Sequence, residues 1–273
     1  MQIVAGQVAV ITGAASGIGL AMAEHLAARK LRIVAADIDA VGLEQAADRL
    51  RSTGAEVLSL RVDVSSRSDI EHLAAQTYER FGAANILCNN AGVVKRGKVW
   101  EQTDDDWEWV IGVDLWSVIH GVRSFIPRML AGGQPGHIVN TASTAGLAAF
   151  PMIGSYNVAK SGVVALSETL HHELRMEGAP IGVSVLCPGL VATRIGDSER
   201  NRPGHERTAQ QAPISMRAPG AVAMQAADVA DYVARAIESD QFWMLTHPAY
   251  DDFVQRRAAG ILNRRDVVEP LPV

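Results

Sequence analysis

The chain has 273 residues, with 25 Lys and Arg against 30 Asp and Glu, which gives a formal net charge of −5. Hydrophobic residues make up 48% and charged residues 20%, an ordinary globular composition that excludes disorder, collagen and coiled coil as the main architecture. The mild acidity and the lack of a long basic run argue against nucleic acid as a partner.

Short apolar segments alternate with amphipathic segments along the chain. Strands are predicted at 7–12, 31–37, 56–64, 85–89, 136–143, 181–188 and 241–246, and helices at 17–29, 40–53, 67–81, 104–131, 155–177 and 225–238. The strands are apolar on both faces, and their alternation with helices predicts an α/β fold with a parallel sheet covered on both sides. No linker interrupts the pattern, which predicts a single domain over residues 1–273.

Two segments depart from this periodicity. Residues 194–220 hold three prolines, three glycines and five arginines, and a loop of this length is usually functional or mobile. The arginines could meet an acidic substrate, but Asp197, Glu199 and Glu206 nearby favour a solvated substrate lid. Residues 247–273 are interpreted as a C-terminal extension.

The location of the protein is predicted from what the sequence lacks. No Lys or Arg precedes Arg29, so a basic leader is missing, and no apolar run reaches about 18 residues. We therefore expect a cytoplasmic protein without a membrane partner. Cys88 and Cys187 lie in apolar strands, and neither CxxC nor HExxH occurs, so no metal site is expected.

A glycine-rich turn, TGAASGIG at 12–19, leads from the first strand into the first helix. Gly13, Gly17 and Gly19 permit a tight turn and a close approach of the backbone to a pyrophosphate, which would lie at the positive end of the helix. Ser16 and Ile18 belong to the same predicted cofactor site. The alternative is a purely structural turn.

Asp37 ends the second predicted strand, 24 residues after Gly13. An acidic side chain at this place in a nucleotide-binding unit accepts hydrogen bonds from the adenosine ribose and repels a 2′-phosphate. Since the glycine turn carries no basic residue, the sequence favours NAD over NADP. The alternative is a helix N-cap or a surface carboxylate.

A second set of residues suits acid–base chemistry. Tyr156 and Lys160 lie on one face of a predicted helix, and a nearby ammonium group favours a phenolate. By itself this pair could lie on the surface. Ser143, at the end of the fifth predicted strand, would bring a hydroxyl to the sheet edge where α/β proteins bind ligands. No GxSxG elbow surrounds Ser143, so a nucleophilic role is not expected.

Together these motifs resemble the short-chain dehydrogenase/reductase family over residues 5–245. The resemblance rests on TGAASGIG, Asp37, Asp63 with Val64, NNAG at 89–92, Ser143, Tyr156-x-x-x-Lys160, and PG at 188–189 followed by Thr193. It implies a single Rossmann-type, doubly wound parallel sheet of about seven strands, NAD(P)-dependent oxidation or reduction of an alcohol or carbonyl, and a homodimer or homotetramer.

The resemblance also implies a role for each matching residue. Tyr156 would be the general acid–base, Lys160 would hold the nicotinamide ribose and lower the tyrosine pKa, and Ser143 would orient the substrate oxygen. The remaining predicted cofactor contacts are Asp63 and Val64 at the adenine, Asn90 beside the cofactor, and Pro188, Gly189, Val191 and Thr193 at the nicotinamide.

One position departs from the family pattern. Asp114 lies where the family commonly has an asparagine that kinks a long helix and holds a water near the active-site lysine. An ionised Asp114 could support the same water, or it could alter the pH optimum through Lys160. We expect the substitution to be tolerated.

Apolar residues near the predicted site indicate the substrate. They are Val93, Val94, Leu147, Phe150, Pro151, Met152, Ile214 and Met216. They suggest a medium-sized, largely apolar secondary alcohol or ketone, although several could simply pack the core. Trp100, Trp107, Trp109 and Trp116 are interpreted as buried packing or a subunit interface rather than a ligand platform. The competing function is a nucleotide-binding regulator or scaffold that has lost turnover.

Overall fold

A computed structural model describes residues 1–204, 222–265 and 267 of the chain. Seven parallel strands form one sheet: β1 (Val8–Thr12), β2 (Arg32–Asp37), β3 (Val57–Arg61), β4 (Ile86–Asn89), β5 (Gly136–Thr141), β6 (Ile181–Cys187) and β7 (Trp243–Leu245). Their order is β3-β2-β1-β4-β5-β6-β7. The predicted α/β fold with a doubly wound parallel sheet is confirmed.

Helices cover both faces of the sheet. They are α1 (Gly17–Ala28), α2 (Ala40–Ser52), α3 (Arg67–Phe81), α4 (Asp104–Ile111), α5 (Ser117–Gly132), α6 (Thr144–Leu147), α7 (Gly154–Met176), α8 (Ala226–Glu238) and α9 (Asp251–Leu262). No helix among the described residues is long and apolar enough to cross a bilayer.

Strand β1 explains why both faces need this cover. Its five residues are all buried, and successive side chains point to opposite faces. Ala9 and Ile11 pack in the core with α1 and α8, whereas Val8 and Val10 pack in the core with α3 and α5. The sheet therefore has a hydrophobic layer on each side, as the apolar strands predicted.

The sheet order reverses beside β1, which pairs with β2 on one side and β4 on the other. In an open α/β sheet, such a reversal leaves a crevice at the carboxyl ends of the two strands, because the connections leave in opposite directions. The loops after β1 and β4 carry the glycine turn and NNAG, so this crevice is the place for the predicted nucleotide site.

The helix predicted at 104–131 is interrupted in the structure. A π-helical turn, Gly112–Trp116, separates α4 from α5, and the amide of Ser117 donates to the carbonyl of Gly112, five residues back. A π turn accommodates one extra residue per turn and re-aims the side chains within it, which hydrophobic periodicity does not reveal. Asp114 lies in this turn and is fully buried.

Two strands end two or three residues earlier in the structure than the sequence predicted. Strand β3 ends at Arg61, so Asp63 and Val64 lie in the following loop. Strand β5 ends at Thr141, so the placement of Ser143 in that strand was wrong. Ser143 is instead the N-cap of α6, where its hydroxyl accepts a hydrogen bond from the amide of Ala145 at 3.1 Å.

Candidate active site

The glycine turn after β1 is closed tightly against the neighbouring strands. Gly13 and Gly17 have φ values of +68° and +59°, the left-handed region that favours glycine. A Cβ on Gly19 would lie 2.2 Å from the carbonyl oxygen of Gly13 and 2.6 Å from Nδ2 of Asn90. Ser16, the N-cap of α1, makes no side-chain capping bond, so the first amides of this helix face the cleft ready for an anion.

The Asp37 carboxylate lies beside this turn at the end of β2. Its Oδ2 accepts from the amide of Ala15 at 2.9 Å, and its Oδ1 accepts from the amide of Asp39 at 3.0 Å. Burial raises the pKa of Asp37, while these two amides oppose the rise. The alternative N-cap role belongs to Asp39, which accepts from the amide of Gly42 at the start of α2. Asp37 is therefore an oriented carboxylate at the rim of the crevice.

One cleft of about 1220 Å³ brings most of the predicted cofactor residues together. Those that line it are Gly13, Ser16, Gly17, Ile18, Asp37, Asp63, Val64, Asn90, Tyr156, Lys160, Pro188 and Thr193. Gly19, Gly189 and Val191 do not line it. Gly19 packs against the carbonyl of Gly13 within the turn, and Gly189 and Val191 belong to the loop after β6. All three residues therefore support the wall of the cleft without lining it. The cleft, the glycine turn and the oriented carboxylate of Asp37 fit a dinucleotide.

Asn90, the residue directly after β4, holds the start of the glycine turn. Its Nδ2 donates to the carbonyl of Thr12 at 3.0 Å, and its own amide donates to Oγ1 of Thr12 at 2.9 Å. These bonds fix the glycine turn to the adjacent strand. Asn90 thus holds the turn in place in addition to facing the cleft.

Tyr156 lines the cleft, whereas Ser143 lies behind it as the N-cap of α6. Tyr156 is in the first turn of α7, and its buried phenol is hydrogen-bonded to the hydroxyl of Ser143. Burial raises the pKa of Tyr156 and the negative charge of Asp114 raises it further, whereas the bond from Ser143 lowers it. The phenol of Tyr156 is therefore the hydroxyl that faces the cleft, with Ser143 close enough to affect its pKa.

Lys160 and Asp114 form an ion pair beneath Tyr156. Lys160 Nζ lies 3.3 Å from Asp114 Oδ2 and donates to the carbonyl of Thr141 at 3.0 Å, and the two side chains are 2% and 0% exposed. Asp114 Oδ1 accepts from the amide of Val93 at 2.8 Å. Burial raises the pKa of Asp114, and the ammonium of Lys160 opposes this. Lys160 Nζ also lies 5.5 Å from the centre of the Tyr156 ring.

Comparison with known proteins agrees with this geometry. A family model described as short chain dehydrogenase matches residues 7–204. The chain belongs to the short-chain dehydrogenase/reductase family. It is therefore an oxidoreductase of a family whose members use a nicotinamide cofactor.

Three relatives of this short-chain dehydrogenase show how far the likeness extends. A short chain dehydrogenase/reductase from Burkholderia phymatum, solved in complex with NAD, is 43% identical, with a TM-score of 0.94 and 100% of both chains covered. The 1-deoxy-11-beta-hydroxypentalenate dehydrogenase of Streptomyces avermitilis is 35% identical over 88% of this chain and 84% of its own. The C alpha-dehydrogenase of Sphingobium sp. is 31% identical over 94% and 86%.

The C-terminal extension of this dehydrogenase packs against the turn after β6, behind the wall of the cofactor cleft. His247 Nε2 donates to the carbonyl of Leu190 at 2.8 Å, and the amide of Gly189 donates to His247 Nδ1 at 3.2 Å. A Cβ on Gly189 would lie 2.5 Å from Cε2 of Tyr250. The turn after β6 is therefore held by residues almost 60 positions later, and no sequence motif marks them.

Replacing His247 with alanine should loosen this turn. We expect the free energy of unfolding to fall by about 1–2 kcal/mol, because two partly buried backbone groups lose their acceptor or donor, and we expect weaker NADH binding. Denaturant unfolding and NADH fluorescence titration measure the two effects. His172→Ala, an exposed histidine on α7, is the control; equal effects from the two variants would contradict a holding role for His247.

The first part of the predicted lid is docked across the cleft. Ser198 Oγ accepts from the amide of Val94 at 2.9 Å and donates to its carbonyl at 3.2 Å. Lys95 Nζ lies 2.6 Å from Glu199 Oε1, and Arg202 pairs with Asp106. The predictions for this segment also named Glu206, Arg207, Ile214, Met216, Arg217 and Gly220, which lie outside the described residues.

The tryptophans differ in their exposure and their contacts. Trp109 lines the cleft, and the guanidinium carbon of Arg202 lies 5.0 Å from the centre of its ring, so the interpretation of all four as packing or interface missed this one. Trp100 and Trp116 are 76% and 47% exposed. Trp109 lies in the turn before the π-helical segment, which a regular helix pattern does not place at the cleft.

An apolar cluster surrounds the phenol of Tyr156. It holds Val93, Val94 and Phe150 together with Tyr250 and Phe253 from the C-terminal extension. Of the described apolar residues that were predicted near the substrate, Val93 lines the cleft, and Val94 and Phe150 are buried in this cluster. Leu147 packs in a different cluster, against β6 and α7, and Pro151 is exposed. The described residues contain no group of three or more His, Cys, Asp or Glu side chains that could hold a metal ion.

Proposed function

We propose that this short-chain dehydrogenase transfers hydride between NAD and a medium-sized, largely apolar secondary alcohol or the matching ketone. The observation that carries the proposal is the position of Tyr156, which lines the cofactor cleft and also belongs to the apolar cluster of Val93, Val94 and Phe150. A polar hydroxyl pair surrounded by apolar side chains suits a substrate with one oxygen and a hydrocarbon body. The Streptomyces relative is likewise named for a hydroxylated substrate.

The proposed mechanism divides the work among four residues. Ser143 and Tyr156 hold the substrate oxygen, and Tyr156 takes its proton during oxidation or returns it during reduction. Lys160 would hold the nicotinamide ribose, and Asp114 would fix the ammonium of Lys160 through their ion pair. The nicotinamide supplies the redox chemistry by accepting or giving the hydride.

The cofactor preference is proposed from Asp37. Its carboxylate, fixed by the amides of Ala15 and Asp39, would accept bonds from the adenosine ribose, with Asp63 and Val64 beside the adenine. A 2′-phosphate would bring like charges together at a partly buried place. We expect the kcat/KM with NAD to exceed that with NADP by about 100-fold or more.

A substrate panel tests the proposal directly. Absorbance of the reduced nicotinamide is followed with NAD+ and NADP+ over aromatic, alicyclic and short polar secondary alcohols, and in reverse with the ketones. Turnover of the apolar members with NAD is expected. NAD binding without turnover in either direction would instead favour a regulator or scaffold, and comparable efficiency with NADPH would contradict the cofactor preference.

We propose further that the protein is a cytoplasmic homodimer or homotetramer assembled through its long helices. Large apolar side chains on α5 and α7 support this, because Leu130, Val158 and Met176 are exposed there, and Trp116 is exposed just before α5. Light scattering in solution gives the mass; a monomer at micromolar concentration would contradict the proposal.

The Asp114 carboxylate should set the pH range of the reaction. Because its charge raises the pKa of Tyr156, Asp114→Asn should lower that pKa. Oxidation needs the phenolate, so the pH profile of kcat/KM should shift to lower pH, with the plateau kcat within about tenfold of wild type. Asp240→Asn, at an exposed ion pair with Arg175, is the control. A shift to higher pH, or a kcat raised by orders of magnitude, would contradict this role.

A further inference from the structure

The charges along the cleft leave the cofactor pyrophosphate with few cationic partners. Of the described residues that line the cleft, Asp37, Asp39 and Asp63 are acidic and Lys160, Arg194 and Arg200 are basic. Lys160 is already paired with Asp114, and the glycine turn at 12–19 has no Lys, Arg or His. A dinucleotide pyrophosphate carries two negative charges, so the cations available to it come from the lid.

Of the two lid arginines, Arg200 is the better placed. Arg194 is exposed, whereas Arg200 is partly buried and its guanidinium is fixed in place. Its Nη1 donates to the carbonyls of Arg194 and Asp197 at 2.9 and 2.8 Å. Its Nε is buried and has no hydrogen-bond partner among the described residues. A buried cationic donor without an acceptor is costly, and an anion in the cleft would remove that cost.

The surroundings of Arg200 keep it at this place. Ser198, two residues earlier, forms two hydrogen bonds with the backbone of Val94. The backbone that carries Arg200 is therefore held against the loop that follows β4. Burial lowers the pKa of Arg200, while the charges of Asp37 and Asp39 oppose this. Arg200, Asp37 and the glycine turn line the same cleft.

We propose that Arg200 binds the cofactor pyrophosphate. The inference rests on the proposed use of a nicotinamide dinucleotide. The phosphates would be bound from one side by the first amides of α1 and from the other by the guanidinium of Arg200.

The test measures binding of ligand fragments and needs no substrate. ADP-ribose contains the pyrophosphate but no nicotinamide, and adenosine contains neither. Arg200→Met should raise the Kd for ADP-ribose, measured by calorimetry, by about 10- to 100-fold, as expected for loss of a charge-assisted hydrogen bond. The Kd for adenosine, measured by NADH displacement, should change less than twofold. Arg200→Lys should recover part of the affinity.

Arg202→Met is the matched control, because Arg202 lies in the same segment but pairs with Asp106 and does not itself line the cleft. It should weaken ADP-ribose much less than Arg200→Met. Thermal unfolding confirms that both variants are folded.

Three results would overturn the inference alone: unchanged ADP-ribose affinity in Arg200→Met, an equal loss in Arg202→Met, or a far larger loss for 2′-phospho-ADP-ribose than for ADP-ribose. The last result would assign Arg200 to a 2′-phosphate. A wild-type protein that binds no ADP-ribose would overturn the proposed function as well.

Discussion

Replacing Tyr156 with phenylalanine should lower kcat by about 10²- to 10⁴-fold, the range expected when a general acid–base is removed. The ring stays in place, so the packing of Tyr156 against Val93 and Phe150 is preserved. Only the hydroxyl bonded to Ser143 is lost. NADH binding, measured by fluorescence titration, should change less than threefold, because the phenol acts on the substrate oxygen.

Tyr232→Phe provides the matched control for that experiment. Its hydroxyl accepts a hydrogen bond from Gln241 Nε2 at 2.8 Å on α8, away from the cleft. This variant should turn over at the wild-type rate. If Tyr156→Phe kept more than a tenth of the wild-type kcat, the acid–base would have to be another group.

Replacing Lys160 with methionine should impair both stability and turnover. The variant leaves the buried carboxylate of Asp114 without its cation, and breaking such a pair costs about 3–5 kcal/mol of unfolding free energy at neutral pH. Turnover should fall by about 10²-fold or more, since the ammonium no longer holds the ribose beneath Tyr156. Urea unfolding and steady-state kinetics measure the two losses.

The pH dependence of this variant has a defined sign. The pKa of Asp114 is already raised by burial, and loss of the opposing ammonium raises it further. A carboxyl group with a raised pKa in the folded state contributes stability that is complete below its unfolded pKa and is lost as pH rises through the folded pKa. The deficit of Lys160→Met should therefore be smaller at pH 5 than at pH 8.

A double variant separates the structural role from the chemical one. Lys160→Met combined with Asp114→Asn removes both charges, so most of the lost stability should return while turnover remains low. A double variant as unstable as Lys160→Met would show that the buried charge is not the cause. Recovery of turnover would show that the ammonium has no direct part in the reaction.

The parts of the fold that the sequence predicted depend on local patterns. The strands were recognisable because β1 and β4 are apolar on both faces, and the glycine turn because Gly13, Gly17 and Gly19 meet steric demands within eight residues. Asp37 was recognisable because it ends a strand at the right distance from that turn. Each of these signals lies within one strand–helix unit.

Features that depend on tertiary contacts could not be predicted. The π-helical turn at Asp114 adds one residue to a helix whose hydrophobic pattern is otherwise regular. The contacts of His247 with Gly189 and Leu190 join residues 57 and 58 positions apart. The contact of Ser198 with Val94 spans 104 positions. No short motif reports such pairs, because they arise only when the loops pack together.

The hold of His247 on the turn after β6 has a consequence for biosynthesis. The glycine turn and Tyr156 leave the ribosome before the segment after β7, but the turn after β6 is held only when His247 has emerged and donated to the carbonyl of Leu190. A nascent chain that has released residues 1–240 can pair six of the seven strands and still lack a finished cofactor site. Cleavage before His247 should accordingly leave the sheet largely intact but weaken cofactor binding. Cofactor binding would then report whether the segment after β7 is present and folded.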